Sequence, residues 1–424
     1  MRNIFTAILL LVAATGLRAQ QIDSVAVKNT ESILASDEMR GRATFTPDIE
    51  RAADYIESRF RKAGLKTWNG SESYRQKFVM VRATPVSATA TLDGDLLPAG
   101  HVSAVTSASD LTVDQNSGYE KAFIRAGANF FQEALHFIHA RKSYLVLVDS
   151  SFSGSFGRIG RFGHQGFKSD RSIVFVLTNS DPSTYSIHIR QEVKESPLAN
   201  VVGVLPGKSK KDEIVIFSAH YDHLGVGKPD EKGDSIFNGA NDDASGTTAV
   251  LMLADYFARK KDNERTLVFA TFTAEEIGEF GSQYFSGQFG PDSVVAMFNI
   301  EMIGTESKWG KNSAYITGYD RSDMGKILEK NLAGSGFTFY PDPYPSQQLF
   351  YRSDNASLAR LGVPAHTIST SKMDSEKYYH TRGDEIGTLD MANMTRIIQA
   401  IAISSSSIVE GKDTPSRVDA TQLR

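Results

Sequence analysis

The feature that most limits how this chain can fold is a set of short apolar runs in its second half. Residues 214–217, Ile-Val-Ile-Phe, form one run, and residues 267–270 and 294–300 form two more. Strands that are covered on both faces are apolar along nearly their whole length, as these runs are. The three runs therefore predict buried strands of a sheet.

Stretches with helical spacing separate and flank these runs. Residues 49–63 and 394–401 repeat apolar side chains at helical spacing, as does the stretch after Ser245, which can cap its first turn. Gly64 can end the first of these helices. Strands that alternate with helices predict an α/β fold, a three-layer α/β/α sandwich around a mixed, mainly parallel sheet.

Residues 81–196 differ in character from the rest of the chain. They are rich in Val, Ser, Thr and Phe in short alternating runs, and residues 143–149 predict a strand. This pattern predicts an inserted, β-rich domain without catalytic spacing. It divides the main domain into residues 21–80 and 197–410, which are followed by a polar tail over 411–424 that we expect to fray.

The N-terminus predicts a signal peptide over residues 1–20. Arg2 supplies the positive charge, and residues 4–14 form an apolar run that is too short to cross a bilayer comfortably. A cut after Ala19 or Gln20 would release an exported protein, periplasmic or extracellular, with no stable membrane association. An uncleaved membrane anchor is the alternative interpretation.

Composition excludes several kinds of site and partner. The chain has no cysteine, which excludes disulfides, thiolate zinc sites and a cysteine nucleophile. Its net charge is −4, and the sequence has no block of basic residues of the kind that binds a phosphate backbone. Nucleic acid is therefore not an expected partner. Any bound metal must therefore be held by carboxylates and by some of the nine histidines.

Candidate metal ligands stand where the predicted strands end, the edge at which such sheets bind ligands. His220 and Asp222 follow the first apolar run, and two positions apart on extended chain they face the same side. The Asp222 carboxylate could then accept the ring proton of a metal-binding His220 and fix its tautomer. By itself, the pair could equally be a surface histidine beside an aspartate.

Two pairs of adjacent acids add carboxylates to the set. Asp242 and Asp243 precede the predicted helix, where an aspartate usually serves as a cap, but Ser245 is available for that role. Glu275 and Glu276 follow the second apolar run, where neighbouring carboxylates repel each other unless a cation is present. A solvated turn is the other interpretation of the Glu pair.

Glu301 and His380 complete the candidate set. Glu301 ends the third apolar run, where a carboxylate needs a partner, which a Lys or Arg could also supply. His380 lies in a polar loop before the last helix and could be a solvated histidine. Two imidazoles with three carboxylates suit two zinc ions that share a carboxylate, because imidazole favours zinc or another transition metal.

These segments together resemble the co-catalytic zinc exopeptidases, which include secreted bacterial aminopeptidases and glutamate carboxypeptidases. The motifs appear in the family order between about 200 and 390, and residues 34–42 resemble the family's lead-in. They are His-x-Asp at 220–222, Gly-Ala-Asn-Asp-x-Ala-Ser-Gly at 239–246, Ala-Glu-Glu-x-Gly-x-x-Gly-Ser at 274–282, Asn-x-acid-Met-Ile-Gly at 299–304 and Tyr-His-Thr at 379–381.

The resemblance implies which residues hold the metal ions. His220 and Glu301 would bind one zinc ion, and Glu276 and His380 would bind the second. Asp242, which directly follows Asn241 in the family motif, would bridge both ions.

The resemblance also implies three catalytic roles. Asp222 would support His220. Glu275 would be the general base that takes a proton from the bridging water and passes it to the leaving amine. Tyr379, directly before the last ligand, would hydrogen-bond the developing oxyanion.

The chain departs from the family pattern in a few places. The family usually has Asp where Glu301 stands, and often Ser-Asp-His where residues 353–355 are Ser-Asp-Asn. The insertion over 81–196 resembles the lid or protease-associated domains of some members only loosely. His223 and His366 lie outside the ligand set, and we expect them to be hydrogen-bonded structural histidines.

The expected activity is therefore hydrolysis of terminal peptide bonds by a zinc-dependent exopeptidase, most simply an aminopeptidase. Two alternatives remain open. Glutaminyl cyclases on the same fold use one zinc ion and favour Trp around the pocket, whereas this chain has only Trp68 and Trp309. A catalytically inactive binding protein would have lost ligands, and all five candidates are present here.

Overall fold

The computed structural model describes residues 22–162 and 164–423, and the chain forms two compact units. The first unit contains the residues up to Lys77 and from Ala199 onward, and the second is Phe78–Leu198. The predicted signal peptide, residues 1–20, lies outside the described residues. The residues of the predicted insertion, 81–196, all fall in the second unit.

The helices and strands are numbered here in chain order. The helices are α1 (Ser24–Leu34), α2 (Pro47–Ala63), α3 (Phe130–Ile138), α4 (Ser153–Phe156), α5 (Ser245–Lys260), α6 (Phe280–Ser286), α7 (Met324–Asn331), α8 (Asn355–Ala359), α9 (Met391–Ser404) and α10 (Ser406–Val409). The strands are β1 (Lys66–Thr67), β2 (Arg75–Leu92), β3 (Asp95–Leu96), β4 (Val102–Val105), β5 (Asp110–Asp114), β6 (Glu120–Ile124), β7 (Tyr144–Val148), β8 (Gln165–Phe167), β9 (Ile173–Leu177), β10 (Tyr185–Leu205), β11 (Lys210–His220), β12 (Gly225–Val226), β13 (Ile236–Phe237), β14 (Arg265–Phe272), β15 (Val294–Ile300), β16 (Ser313–Ile316), β17 (Thr338–Pro341) and β18 (Ala365–Ser369).

The sheet of the first unit is mixed and mainly parallel, as predicted. Its order is β17-β16-β18-β15-β11-β14-β10, and β10 enters it through residues 201–205. β11 pairs in parallel with β14 and β15, and β15 pairs in parallel with β18. β16 pairs antiparallel with β18, as does β10 with β14, and the short β1 adds a further antiparallel pair with β10. The three apolar runs of the sequence are thus neighbouring strands whose carboxyl ends share one edge.

Helices cover both faces of this sheet, which confirms the predicted three layers. Along β11, Val215 and Phe217 pack into a core with α2, α5 and α9. Ile216 packs into the opposite core, with Phe285 of α6 and Leu358 of α8. Because successive side chains of a strand point to opposite faces, a strand with a core on each face must be apolar throughout.

The predicted helix over 49–63 is α2, which begins two residues earlier. Thr46 accepts a hydrogen bond from the N–H of Asp48, and Pro47 occupies the first turn, where its missing N–H costs nothing. Gly64 ends the helix in the left-handed region, with φ of 75°, as the sequence predicted.

The expectation that Ser245 caps α5 is wrong. Its hydroxyl donates back to the carbonyl of Asn241, at 2.8 Å, and accepts from the N–H of Ile303. Asp243 takes the capping role instead, because its Oδ1 accepts from the N–H of Gly246 at 3.0 Å. Oδ1 of Asp243 is therefore taken up by the start of the helix, whereas its Oδ2 is buried and has no hydrogen-bond partner among the described residues.

The expectation that the tail frays is also wrong for its described part, 411–423. Val418 is buried, and Arg417 donates to the carbonyl of Val294 at 2.8 Å. The buried guanidinium of Arg265 donates to the carbonyl of Asp413 at 2.6 Å. A buried arginine needs acceptors for its N–H groups, and the backbone of this polar tail supplies them.

The second unit has its own small sheet, in the order β4-β9-β7-β6. β6, β7 and β9 are parallel, and β4 is antiparallel to β9. β7 confirms the strand predicted over 143–149, and α3 packs Phe130 and Ala134 against this sheet. Within the described residues no helix combines the length and the apolar character that crossing a bilayer requires.

Candidate metal centre

The predicted ligands all lie in the first unit, and two of them end or directly follow its central strands. His220 is the last residue of β11, and Glu301 comes directly after β15. Glu276 lies in the turn after β14, and Asp242 lies in the turn Ala240–Ala244 that leads into α5. Only His380 comes from a distant part of the chain, the loop before α9.

Asp242 lies between two imidazoles. Its Oδ1 is 3.2 Å from Nε2 of His220, and its Oδ2 is 3.2 Å from Nε2 of His380. Oε2 of Glu276 is 3.1 Å from the same nitrogen of His380. Each oxygen of Asp242 thus faces a different histidine, which is the arrangement that a carboxylate shared by two ions needs.

Glu301 is half-buried and is held by a residue that the sequence motifs did not point to. The hydroxyl of Ser353 donates a short hydrogen bond to Oε2 of Glu301. Asn299 Nδ2 in turn donates to Oγ of Ser353, at 2.7 Å. The longer arm of the glutamate is therefore fixed by a chain of hydrogen bonds. The departure from the family motif at 353–355 leaves this serine in place.

The expected contact between the Asp222 carboxylate and the His220 ring is wrong in detail. Nδ1 of His220 lies 3.1 Å from the backbone oxygen of Asp222 and 3.8 Å from Oδ1 of its carboxylate. For a residue two positions further along the chain, the backbone carbonyl of Asp222 thus lies nearer to the His220 ring than its carboxylate does. Donation from Nδ1 to that carbonyl leaves Nε2 as the ring atom available to a metal.

The Asp222 carboxylate instead braces the turn that carries the Glu pair. It is completely buried and accepts from Oγ1 of Thr44 at 2.9 Å. It also accepts from the backbone N–H of Glu275 at 3.2 Å and of Glu276 at 3.4 Å. Asp222 therefore fixes the backbone of the predicted base rather than a histidine ring.

Arg42 is a positioning residue that the sequence did not reveal. Its guanidinium is buried and donates to four backbone carbonyls at 2.6–2.9 Å, those of Leu34, Tyr221, Asn238 and Gly239. Tyr221 directly follows His220, and Gly239 lies three residues before Asp242. The rigid fork of one arginine thus ties together the two loops that carry these ligands.

Asp384 makes a similar connection on the other side of the centre. Its carboxylate accepts from the backbone N–H of Asn241 at 2.8 Å and of Asp242 at 3.0 Å. Because Asp384 belongs to the loop of His380, it fixes the spacing between that histidine and Asp242. Its position four residues after His380 was the only available signal in the sequence.

The two histidines outside the predicted set behave differently. His366 is a structural residue as expected, with Nδ1 2.8 Å from the carbonyl of Thr317 and Nε2 2.7 Å from Oγ of Ser322. His223 instead lies in the centre, with Nδ1 2.6 Å from Oε1 of Glu276. One ligand atom each of His223, Asp242 and Glu276 lie within 4.8 Å of one another, a spacing that can hold a metal ion.

The charges of the centre are strongly coupled. Burial raises the pKa of Glu275 well above its ordinary range and that of Glu301 to about 7. Burial also opposes ionisation of Asp242, but its close contacts with the rings of His220 and His380 hold its pKa below the usual value. Hydrogen bonds to Asp242 and Glu276 raise the pKa of His380 to about 10. Carboxylates crowded in this way are stabilised by added positive charge.

These residues fit a transition-metal ion. Nε2 of His220 and Nε2 of His223 are buried and have no hydrogen-bond partner among the described residues. Such orphaned nitrogens are costly unless something binds them. A mixture of imidazole and carboxylate ligands is typical of catalytic zinc sites.

Tyr379 lies against the last predicted ligand. Its ring stacks on that of His380, with centroids 3.9 Å apart and planes inclined by 20°. Burial, and then the charges of Asp242, Glu301 and Glu276, raise the pKa of the Tyr379 hydroxyl. The hydroxyl therefore keeps its proton and can act as a hydrogen-bond donor at the centre.

Comparison with known proteins gives one family and a consistent fold. Residues 200–404 match the model described as peptidase family M28. The chain is 24% identical over 310 residues to leucine aminopeptidase 1 of Ajellomyces capsulatus, which covers 67% of this chain and 78% of that protein. An aminopeptidase from Aneurinibacillus sp. strain AM-1 aligns over 91% of this chain and 94% of its own, with 19% identity and a TM-score of 0.54.

A second solved structure agrees with the first. The zinc aminopeptidase from Bacillus subtilis aligns over 94% of this chain and 98% of its own, with 17% identity and a TM-score of 0.53. At these identities the two likenesses confirm the predicted fold class and concern the fold alone.

Proposed function

We propose, from the premise that residues 200–404 belong to peptidase family M28, that the protein is a zinc-dependent aminopeptidase. Its substrates are peptides with a free amino end. The observation that carries the proposal is the placement of Asp242 between His220 and His380, with Glu276 beside the latter. The relatives named leucine aminopeptidase favour the amino end over the carboxyl end.

The residues that would hold zinc form two groups that share one carboxylate. His220, Asp242 and Glu301 would bind one ion, and Asp242, Glu276 and His380 would bind the other. When bound, zinc makes water more acidic and polarises the scissile carbonyl. The two-ion assignment is supported by the two oxygens of Asp242, each of which faces a different histidine.

Glu275 is proposed to move the proton. Its carboxylate would take a proton from the attacking water and give it to the leaving amine. Burial raises the pKa of Glu275, so the acid can hold this proton between the two steps. The hydrogen bond from the backbone N–H of Glu275 to Asp222 fixes the backbone that carries the Glu275 carboxylate. The Tyr379 hydroxyl would donate a hydrogen bond to the oxyanion.

A cavity beside Glu301 is suited to the side chain of the residue that is removed. Its lining includes Met302, Leu349, Met373 and Tyr379, together with several hydroxyl-bearing residues. Arg352 also lines this cavity, so its apolar part is formed by the two methionines, the leucine and the tyrosine, and we propose that this part receives an apolar side chain.

The direct test is digestion of one peptide in three forms, read by mass spectrometry. The forms are free at both ends, acetylated at the amino end and amidated at the carboxyl end. With zinc, the free and amidated peptides should lose residues from the amino end, and the acetylated peptide should stay intact. Trimming of the free and acetylated peptides from the carboxyl end, with the amidated peptide intact, would identify a carboxypeptidase. Loss of ammonia from an N-terminal Gln would identify a cyclase.

Export is part of the same proposal. The sequence of residues 1–20 supports removal by signal peptidase, after which the enzyme would act in the periplasm or the medium. N-terminal sequencing of the protein expressed in a host that secretes it tests this step. A mature chain that begins near Gln20 is expected, and an intact Met1 would contradict export by this route.

A further inference from the structure

We propose that His223 is a positioning residue of the metal centre. This proposal rests on the proposed function only because it requires that zinc binds at the centre. Its Nδ1 donates a hydrogen bond to Oε1 of Glu276, at 2.6 Å. The bond would hold the other oxygen, Oε2, towards the metal. Neither the family motif nor the sequence spacing assigned a role to this residue.

The two oxygens of Glu276 face different surroundings. Oε2 is 3.1 Å from Nε2 of His380, on the side where Asp242 also lies. Oε1 faces His223 instead. Carboxylates that bind a metal through one oxygen are held by hydrogen bonds to the other, and such bonds orient the ligand. His223 supplies that bond here.

The residues packed around the ring of His223 keep it from rotating away from Glu276. Its side chain is completely buried. A Cβ at Gly239 would lie 2.5 Å from Cγ and Cδ2 of the ring, so only glycine leaves room for it. On another side, the ring of His380 meets it edge-on, with centroids 5.7 Å apart.

Hydrogen bonding explains the distances better than direct binding of a metal by His223. Its Nδ1 is 2.6 Å from Oε1 of Glu276 but 4.0 Å from Oδ2 of Asp242. A separation of 2.6 Å is filled by the shared proton, which leaves no lone pair on Nδ1 for an ion. Direct ligation would have to use Nε2, which is buried and has no hydrogen-bond partner among the described residues. Direct ligation is nevertheless a distinct outcome of the test below.

The test measures zinc affinity by competition with a chromogenic chelator, which does not depend on peptidase activity. His223→Leu removes the donor, and we expect one of the two zinc ions to bind about 10–100-fold more weakly. His223→Asn places an amide N–H near the position of Nδ1, and we expect affinity close to that of the wild type. His223→Gln places its amide farther out, where Nε2 lies, and we expect the loss seen with Leu.

His366→Leu is the matched control, because it removes a buried, doubly hydrogen-bonded imidazole outside the centre. Its zinc affinity should equal that of the wild type, as measured on protein whose circular dichroism shows it to be folded. If His223→Leu does not fold, the comparison of Asn with Gln decides the question.

Two results would overturn the inference. The first is wild-type zinc affinity in the Leu and Gln variants. The second is an Asn variant as weak as Leu, which would make His223 a direct ligand, because an amide nitrogen does not replace imidazole on zinc. A wild-type protein that binds no zinc would overturn the proposed function itself. If the wild type binds zinc and cleaves peptides, and His223→Leu has the same zinc affinity as the wild type, only the proposed role of His223 is overturned.

Discussion

The backbone N–H of Glu275 donates a hydrogen bond to Oδ1 of Asp222, with an N···O distance of 3.2 Å. Asp222 follows β11, and Glu275 follows β14, so the bond joins the ends of two neighbouring parallel strands. The other oxygen of Asp222 accepts from Thr44. The position of the proposed base therefore depends on a buried carboxylate that is not among the proposed metal ligands.

Glu275→Gln is expected to abolish most of the activity while leaving zinc in place. Glutamine keeps the shape of the side chain but cannot accept the proton, so kcat should fall by about 10²–10⁴-fold. Steady-state kinetics on an unblocked dipeptide and zinc content by elemental analysis check this. Normal cleavage by a zinc-loaded Gln variant would show that another residue is the base.

Asp222→Asn is expected to lower kcat less than Glu275→Gln and to leave KM nearly unchanged. The amide nitrogen of Asn would face a backbone N–H or a hydroxyl group that now donates a hydrogen bond to the carboxylate. Because two donors cannot bond to each other, the turn after β14 loses part of its support. Thr44→Val, which removes one donor to the same carboxylate, is the milder control. Equal kcat in Asp222→Asn and the wild type would contradict the bracing role.

Arg42→Met is expected to destabilise the protein by at least about 3 kcal/mol, because four buried carbonyls would lose their donor and each costs about 1–3 kcal/mol. Arg42→Lys should restore little, since one ammonium cannot serve carbonyls in four directions. Urea unfolding followed by circular dichroism measures the change. Arg51→Met, an exposed position on α2, is the control, and a similar loss there would contradict the argument.

Glu301→Ala is expected to reduce the bound zinc from two ions to one. The variant removes a proposed ligand of the ion shared with His220, and the second group of ligands stays intact. Equilibrium dialysis followed by elemental analysis gives the stoichiometry. Ser353→Ala, which removes only the donor to Glu301, should keep two ions but weaken one of them by about 10-fold. Two tightly held ions in Glu301→Ala would disprove this ligand assignment.

Glu31 should make stability fall as pH rises. Burial raises its pKa to about 8, well above the ordinary value of 4.5, so the native state keeps a proton that the unfolded chain has released. The free energy of unfolding should therefore decrease between pH 4.5 and about 8, by at most about 1.4 kcal/mol per pH unit.

Glu31→Gln, which cannot ionise, should lose this pH dependence and become the more stable protein at pH 8. Urea unfolding of both proteins across this range, with a chelator present to exclude effects of zinc, checks the sign. A difference between them that stays constant with pH would contradict the prediction.

The elements of the first unit that positioned the centre were predictable from local patterns. The three apolar runs are β11, β14 and β15, and residues 49–63 lie in α2. Each prediction used only spacing within about 17 residues, where side-chain direction follows directly from helix or strand geometry. The capping of α5 was missed because Ser245 and Asp243 are both suitable caps, and the choice depends on contacts with Met302 and Ile303 beyond β15.

The sequence by itself determined the sheet, the helices that cover it and the acids and imidazoles that stand at the ends of its strands. The spacing of apolar residues and the order of the motifs along the chain can be read directly from the sequence. Only the tertiary structure decided that Arg42 ties residues 221 and 239 together, that Asp384 reaches Asp242 and that His223 meets Glu276. The residues of these pairs are 53 to 197 positions apart in the sequence. Such contacts depend on how loops meet in space, which no local spacing of residue types encodes.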